Sequence, residues 1–439
     1  MPSPPHILQS LIQAALQAVD AEKAIQQALK LEDNRITVES HSLPVDDYRK
    51  IYLLGVGKAS AAMAAAAEKI LGDRLESGYA VVKRGHGCPL RRTHLVEAGH
   101  PEPDQDGLRA AQGALDFLDA HLQPDDLLLV LVSGGGSALL PLPCPPLTLQ
   151  DKQQATSLLL RSGASIHEMN AVRKHLSAVK GGRLLEHTRG CRILTLLISD
   201  VIGDDPSVIA SGLTAPDSST FADCLGILDR YQLLDRLPPR VAQHLKRGSS
   251  ETPKPGDPLF EQVSNRVVTT NRQALQAAAE EARKHGLEPL ILSSTIQGST
   301  REAARFHVAV AREILDGENP LQPPCCLISG GETTVEVRGD GLGGRNQEFA
   351  LWCARETRNW AEKQVIFASL GSDGSDGPTP SAGAWATPNT AFRAAEMGLS
   401  WRDFLHRNDS YRFFRAMDQL IVTGPTRTNV MDIRFVVLE

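Results

Sequence analysis

The chain is short of aromatic residues, carries no excess of positive charge and has no long apolar run, and each shortage closes off a class of function. Phe, Trp and Tyr make up 5% of its 439 residues, too few to suggest a stacking platform for single-stranded nucleic acid. The formal net charge is −6, which gives no reason to expect a nucleic-acid partner or an acidic membrane surface. No stretch approaches the length that spans a bilayer. The N-terminus lacks a basic region, and glutamines interrupt its apolar residues, so Ile7–Lys30 reads as an amphipathic helix and not a signal peptide. Seven cysteines are scattered without CxxC spacing, the usage of reduced thiols in a cytoplasmic protein.

What is present is the composition of a globular protein, 41% hydrophobic and 22% charged, in a chain too long for one core. Apolar strands ending in glycine-rich loops and followed by helices place it in the α/β class, its N-terminal part Rossmann-like with a mostly parallel sheet. The stretch 237–260 is rich in Pro, Gly and Ser. We therefore expect an N-terminal α/β domain over 1–245, a linker over 246–262 and a second α/β domain over 263–439.

The central stretch is Leu127–Pro143. Six apolar residues, Leu127 to Val132, run into Ser133-Gly134-Gly135-Gly136-Ser137. A strand covered on both faces suits the run. The glycines leave backbone N–H groups open to an anion, at the strand end where ligands bind in parallel sheets. The loop has no lysine, and Pro141, Pro143, Pro145 and Pro146 follow it. It is therefore neither a Walker loop nor a dinucleotide turn with a long helix behind it.

Other loops extend the pattern. A first strand, Arg49–Gly55, runs into Gly55-Val56-Gly57-Lys58, and the next strand ends in Lys83-Arg84 where an NAD enzyme carries an acidic residue. Lys58 lies at a helix start, where the dipole is already positive, so its position costs stability and suggests a function. Arg345 repeats this after Gly341-Leu342-Gly343-Gly344. Ile166–Arg183 is the most basic short segment, with Gly181 suiting the end of its helix; Arg173 and Lys180 are candidates to face the anion loop. The strand Ile193–Ser199 leads to Asp200, Asp204 and Asp205. Their carboxylates suit Mg²⁺ coordination or proton abstraction, and turn chemistry explains Asp205-Pro206 but not Asp200. Ser329-Gly330-Gly331-Glu332 echoes the opening loop, and Gly371-Ser372-Asp373 begins another acidic loop at a strand end.

Anion-binding loops, misplaced cations and acidic loops together fit phosphoryl transfer, which needs charge compensation, a metal and a base for the acceptor hydroxyl. The segments GVGKAS, HPEPDQDG, VSGGGSALLPLP, VRKHLSAVKGGRL, ISDVIGDDPSVIASGLTAPD, ISGGETTVEVRG, GLGGRNQEFAL, GSDGSDGPT and TGPTRTNVMDI, spread from about Lys50 to Ile433, resemble the motif set of the class II glycerate 2-kinases, the MOFRL family. The resemblance implies ATP- and Mg²⁺-dependent phosphorylation of D-glycerate at its 2-hydroxyl. It also implies two α/β domains with the active site in their cleft, and a MOFRL region over about 324–433. By the match of motifs, Lys58 and Arg345 correspond to the family's active-site lysine and arginine, and Asp200 to the aspartate of its SDV loop.

Asp200 and Asp204 are the expected metal ligands. Gly55, Gly57, Ser133–Ser137, Arg173, Lys180, Asp204, Gly330, Glu332 and Asp373 are the expected nucleotide and substrate contacts, and the chain is expected to act as a monomer or homodimer. Ile202, Leu213, Pro380, Arg427 and Met431 depart from the family pattern; Pro380 removes a carboxylate beside Asp376, and Arg427 puts a large cation into a glycine-type turn. Two other readings stand beside the kinase: an NAD(P)H-dependent hydroxypyruvate reductase, a label some relatives carry, and a non-catalytic binder of nucleotides or sugar acids.

Overall fold

Unbroken apolar strands and small-residue helices organise the chain, as seen in a computed structural model that describes Pro4–Trp360 and Lys363–Glu439. The chain divides into two units: Ala21–Val268, and the residues up to Asp20 together with Thr269–Glu439.

The first unit opens with an antiparallel meander, β1 (Leu29–Glu32), β2 (Arg35–Val38) and β3 (His41–Pro44). Asp33 and Asn34 turn the first hairpin with φ of 48° and 60°, which short polar side chains tolerate. A six-stranded sheet follows, built from β4 (Ile51–Val56), β5 (Leu75–Lys83), β6 (Thr93–Ala98), β7 (Leu127–Val132), β8 (Arg192–Ile198) and β9 (Val263–Thr269). Their order is β6-β5-β4-β7-β8-β9, and the pairings from β6 through β8 are parallel. Every residue of β4 and β7 is buried, as central parallel strands require. The helix Ser60–Leu71 after β4 carries six alanines and buries nine of its 12 residues. Such small side chains let a helix lie close to its neighbours.

The second unit has a mixed sheet of β10 (Glu288–Ile296), β11 (Cys325–Gly331), β12 (Val365–Gly371), β13 (Gly383–Ala386), β14 (Leu420–Ile421) and β15 (Asp432–Leu438), ordered β10-β11-β15-β12-β13-β14. β10 and β11 are parallel, and β15 runs antiparallel between β11 and β12. All seven residues of β15 are buried.

Four expectations change. The N-terminal helix is two helices, His6–Ala18 and Ala21–Ala28, because Val19 leaves helical geometry (φ −113°, ψ 18°). The first of them packs in the second unit. Its Leu8, Leu11, Ile12 and Ala15 form one buried stripe, and it lies against the helix Asn271–Lys284. The stretch 246–262 is not a free linker, for its polar groups are held within the first unit. Glu251 accepts from the Phe221 N–H (2.8 Å), and Thr252 Oγ1 donates to Asp217 (3.0 Å). Finally, the basic helix ends at His175, six residues before Gly181, because Ser177 leaves it to bridge to Pro143. All seven cysteines are free thiols, and no helix among the described residues is long and apolar enough to cross a membrane.

Candidate active site

In the first unit, loops after the neighbouring strands β4 and β7 lock together. The Ala59 N–H, at the start of the helix, donates to Ser133 Oγ (2.9 Å), and the Lys58 N–H donates to the Gly134 carbonyl (2.9 Å). Ser133 thus supplies the helix cap that Ala59 lacks. Gly57 has φ +128°, and a Cβ there would run into Ser133; at Gly55 it would sit 3.1 Å from Ala80 Cβ. These two glycines were expected to admit an anion, but protein atoms occupy the space beside them. Close packing is what they permit.

Gly135 (φ +86°) differs. A Cβ there would lie 3.0 Å from the His100 ring and 3.2 Å from Lys58 Cγ, so the Lys58 stem and His100 flank the glycine loop. Lys58 is 9% exposed. Behind the loop, a Cβ at Gly136 would meet Ala210 Cβ at 2.7 Å, and Ser137 Oγ pairs with Ser211 Oγ (2.6 Å). As the prolines predicted, the helix after the loop is one turn, Gly136–Leu139.

The basic segment does face this loop. The Lys180 ammonium donates to the Ser137 carbonyl, and Arg173 and Lys152 lie close enough to Lys180 to repel it. Burial pushes Lys152 down to about 7, with Arg173 adding to the effect. Burial also holds Lys180 and Arg173 below their ordinary values. Lys152 escaped notice in the sequence because it stands inside a helix that Thr148 and Asp151 cap normally.

Beyond β8, Asp200 is half-buried and Asp204 holds φ +54°. Asp205 accepts from the Ser207 N–H (2.8 Å), the turn role expected of it. Among the described residues, no group of three or more His, Cys, Asp or Glu is placed to hold a metal ion.

In the second unit, Arg345 opens the helix Arg345–Glu356. Its Nε donates to Asp432 (2.7 Å) and its guanidinium pairs with Glu332 (2.7 Å). Burial opposes its charge, yet Asp432 and Glu332 more than offset this and hold its pKa above the ordinary value. Asp432 starts β15, in register with both Gly331 and Gly371, so it joins the ends of the SGG and GSDG loops. Asp376 accepts the Asn346 and Gln347 N–H groups (3.1 and 2.8 Å) and caps the helix from another loop. Burial nevertheless raises its carboxyl to about 6. Gly330 packs against the Asn271 side chain, which in turn donates to the Asp432 carbonyl (2.9 Å). Asp373 caps its own turn through Ser375. Pro380 and Arg427 are exposed, Arg427 with φ +57°. Nothing local in the sequence marks the partners of Asp376 and Asp432, which lie 30 and 87 positions away.

A profile described as a domain of unknown function, DUF4147, matches residues 7–246, and the MOFRL family matches 325–432. A glycerate 2-kinase of Pyrococcus horikoshii is 38% identical, over 96% of this chain and 94% of the relative. A putative hydroxypyruvate reductase of Agrobacterium vitis is 42% identical, over 92% and 91%. The crystal structure of a glycerate kinase from Thermotoga maritima superposes with a TM-score of 0.83 at 36% identity and covers 99% of both chains. The chain belongs to the MOFRL-containing glycerate 2-kinase family.

Proposed function

We propose that this chain is a cytoplasmic glycerate 2-kinase that moves the γ-phosphoryl group of ATP to the 2-hydroxyl of D-glycerate. The observation that carries the reading is similarity along nearly the whole chain to a protein named glycerate 2-kinase, with the family's lysine standing beside Gly135 of the Ser133–Ser137 loop. Asp200 takes the hydroxyl proton as the oxygen attacks the γ-phosphorus; the bond to the β–γ bridging oxygen breaks and ADP departs. Lys58 offsets charge on the transferring phosphoryl; in the second unit, Asp432 and Glu332 orient Arg345. Asp200 and Asp204 offer hard oxygen donors that fit Mg²⁺, an ion that usually takes one or two carboxylates together with substrate phosphates and would here neutralise phosphate charge.

The test is incubation with ATP and D-glycerate, with the product read by ³¹P NMR. Glycerate-dependent formation of ADP and 2-phosphoglycerate is expected; its absence rejects the kinase reading. Lys58→Ala should lower kcat by about 100-fold or more while leaving Tm within a few degrees. The reductase label of the Agrobacterium relative supplies the rival. A dinucleotide would need the end of β5, where Arg84 is instead paired with Asp104 (2.7 Å). Oxidation of NAD(P)H by hydroxypyruvate without ATP would favour that rival.

A further inference from the structure

Apart from Lys58, the buried cations in the first unit fall into two groups. Lys174 pairs with Asp217 (3.3 Å), and Arg183 lies 3.5 Å from Glu186 and donates to the Ser250 carbonyl (2.5 Å). Lys152, Arg173 and Lys180 stand among the same elements, yet no carboxylate among the described residues pairs with any of them. Lys180 is 1% exposed and Lys152 6%. Their ammonium groups touch backbone carbonyls, Lys180 that of Ser137 and Lys152 that of Leu142 (3.5 Å). Ser177 Oγ (3.2 Å) and the Ala178 N–H (3.0 Å) donate to the same Leu142 carbonyl, so Lys152 is anchored beside the segment that carries Lys180. Arg173 is half-buried, the most exposed of the three. Three close cations without a counter-charge are unfavourable in a folded protein unless a ligand supplies the negative charge.

We propose that Lys152, Arg173 and Lys180 form the subsite for the carboxylate of the acceptor substrate, behind the Ser133–Ser137 loop. The proposal rests on the kinase reading. A carboxylate fits better than the nucleotide phosphates for an electrostatic reason. A phosphate chain brings Mg²⁺ with it, and none of these three cations is paired with a carboxylate that could hold a divalent ion against them. Lys152 then becomes a substrate-binding residue, placed by the helix that follows the loop's proline run.

Steady-state kinetics of Lys152→Met, with Lys152→Arg as the conservative control, separate the possibilities. Lys152→Met should raise KM for D-glycerate by about tenfold or more, with KM for ATP within about twofold of the parent and partial recovery in Lys152→Arg. The parent should also discriminate strongly against methyl D-glycerate, and Lys152→Met should lose much of that preference. A rise in KM for ATP alone would assign the cations to phosphates and overturn the proposal. Unchanged constants for both substrates would make the cluster structural and overturn it equally. Arg173→Gln provides the same readout should Lys152→Met fail to fold. Calorimetric titration with D-glycerate in the absence of ATP keeps this inference separate from the kinase reading. Tenfold weaker binding to Lys152→Met supports the subsite even if no phosphoryl transfer occurs, whereas equal binding rejects it even in an active kinase.

Discussion

At the scale of single residues, Arg345 and Lys152 answer burial in opposite ways. Arg345 is surrounded by carboxylates and its charge is reinforced, whereas Lys152 has none and its charge is undermined. The second case has a consequence for stability. With a folded pKa of about 7 against an ordinary 10.5, the full penalty is present below pH 7, where both folded and unfolded chains hold the proton. Between pH 7 and 10 the folded chain loses it first, so stability rises with pH on account of this group. Lys152→Met should therefore melt higher than the parent at pH 6, and the gap should narrow toward pH 9 in thermal scans. Asp376 has the opposite sign. Its folded pKa of about 6 exceeds the ordinary 3.8, so it favours the folded state below pH 4, and that contribution is lost as pH rises through 6. Its carboxyl ¹³C shift should titrate with a midpoint near 6. Asp376→Asn keeps one acceptor oxygen for two N–H groups and should destabilise the chain by about 1–3 kcal/mol in denaturant unfolding.

At the scale of elements, strands were readable and loop roles less so. β4, β7 and β8 announce themselves because strands buried on both faces carry no polar alternation. The brevity of the helix after Gly136 was readable from the prolines behind it. A glycine, by contrast, means close approach without saying to what. Gly57 looked like part of an anion cradle, yet it makes room for Ser133, which lies more than 70 residues away. Gly57→Ala would combine a left-handed φ with a clash against buried backbone. It should cost roughly 2–5 kcal/mol in chemical unfolding. The end of the basic helix was misplaced for a similar reason, since the bridge from Ser177 to Pro143 is invisible in local spacing. Among the candidate site residues, Lys58 and Arg345 stood out because a cation at a helix start works against the dipole. Asp432 and Lys152 sit in unremarkable local contexts, and the folded chain alone brings them to their partners.

At the scale of the whole molecule, the first helix crosses the domain plan. His6–Ala18 precedes the first unit in the chain but buries its apolar stripe in the second. Deleting residues 1–20 should lower the calorimetric transition of the second unit, through loss of several buried apolar side chains worth about 1.5–3 kcal/mol each. The transition of the first unit should stay in place. If both transitions moved together, or neither did, that partition would be wrong.

The same helix imposes an order on biosynthesis. Its partner, Asn271–Lys284, begins about 250 residues later, which at a translation rate of 5–20 residues per second is a wait of roughly 10–50 s. During that interval the first unit can complete its sheet on the ribosome, while Leu8, Leu11 and Ile12 remain a nascent, uncovered apolar stripe. The helix is thus made first and docked late, and the polypeptide reaches its native state after release of the segment that carries β15. Holdase chaperones that bind short apolar helices have a target here, in the stripe of His6–Ala18.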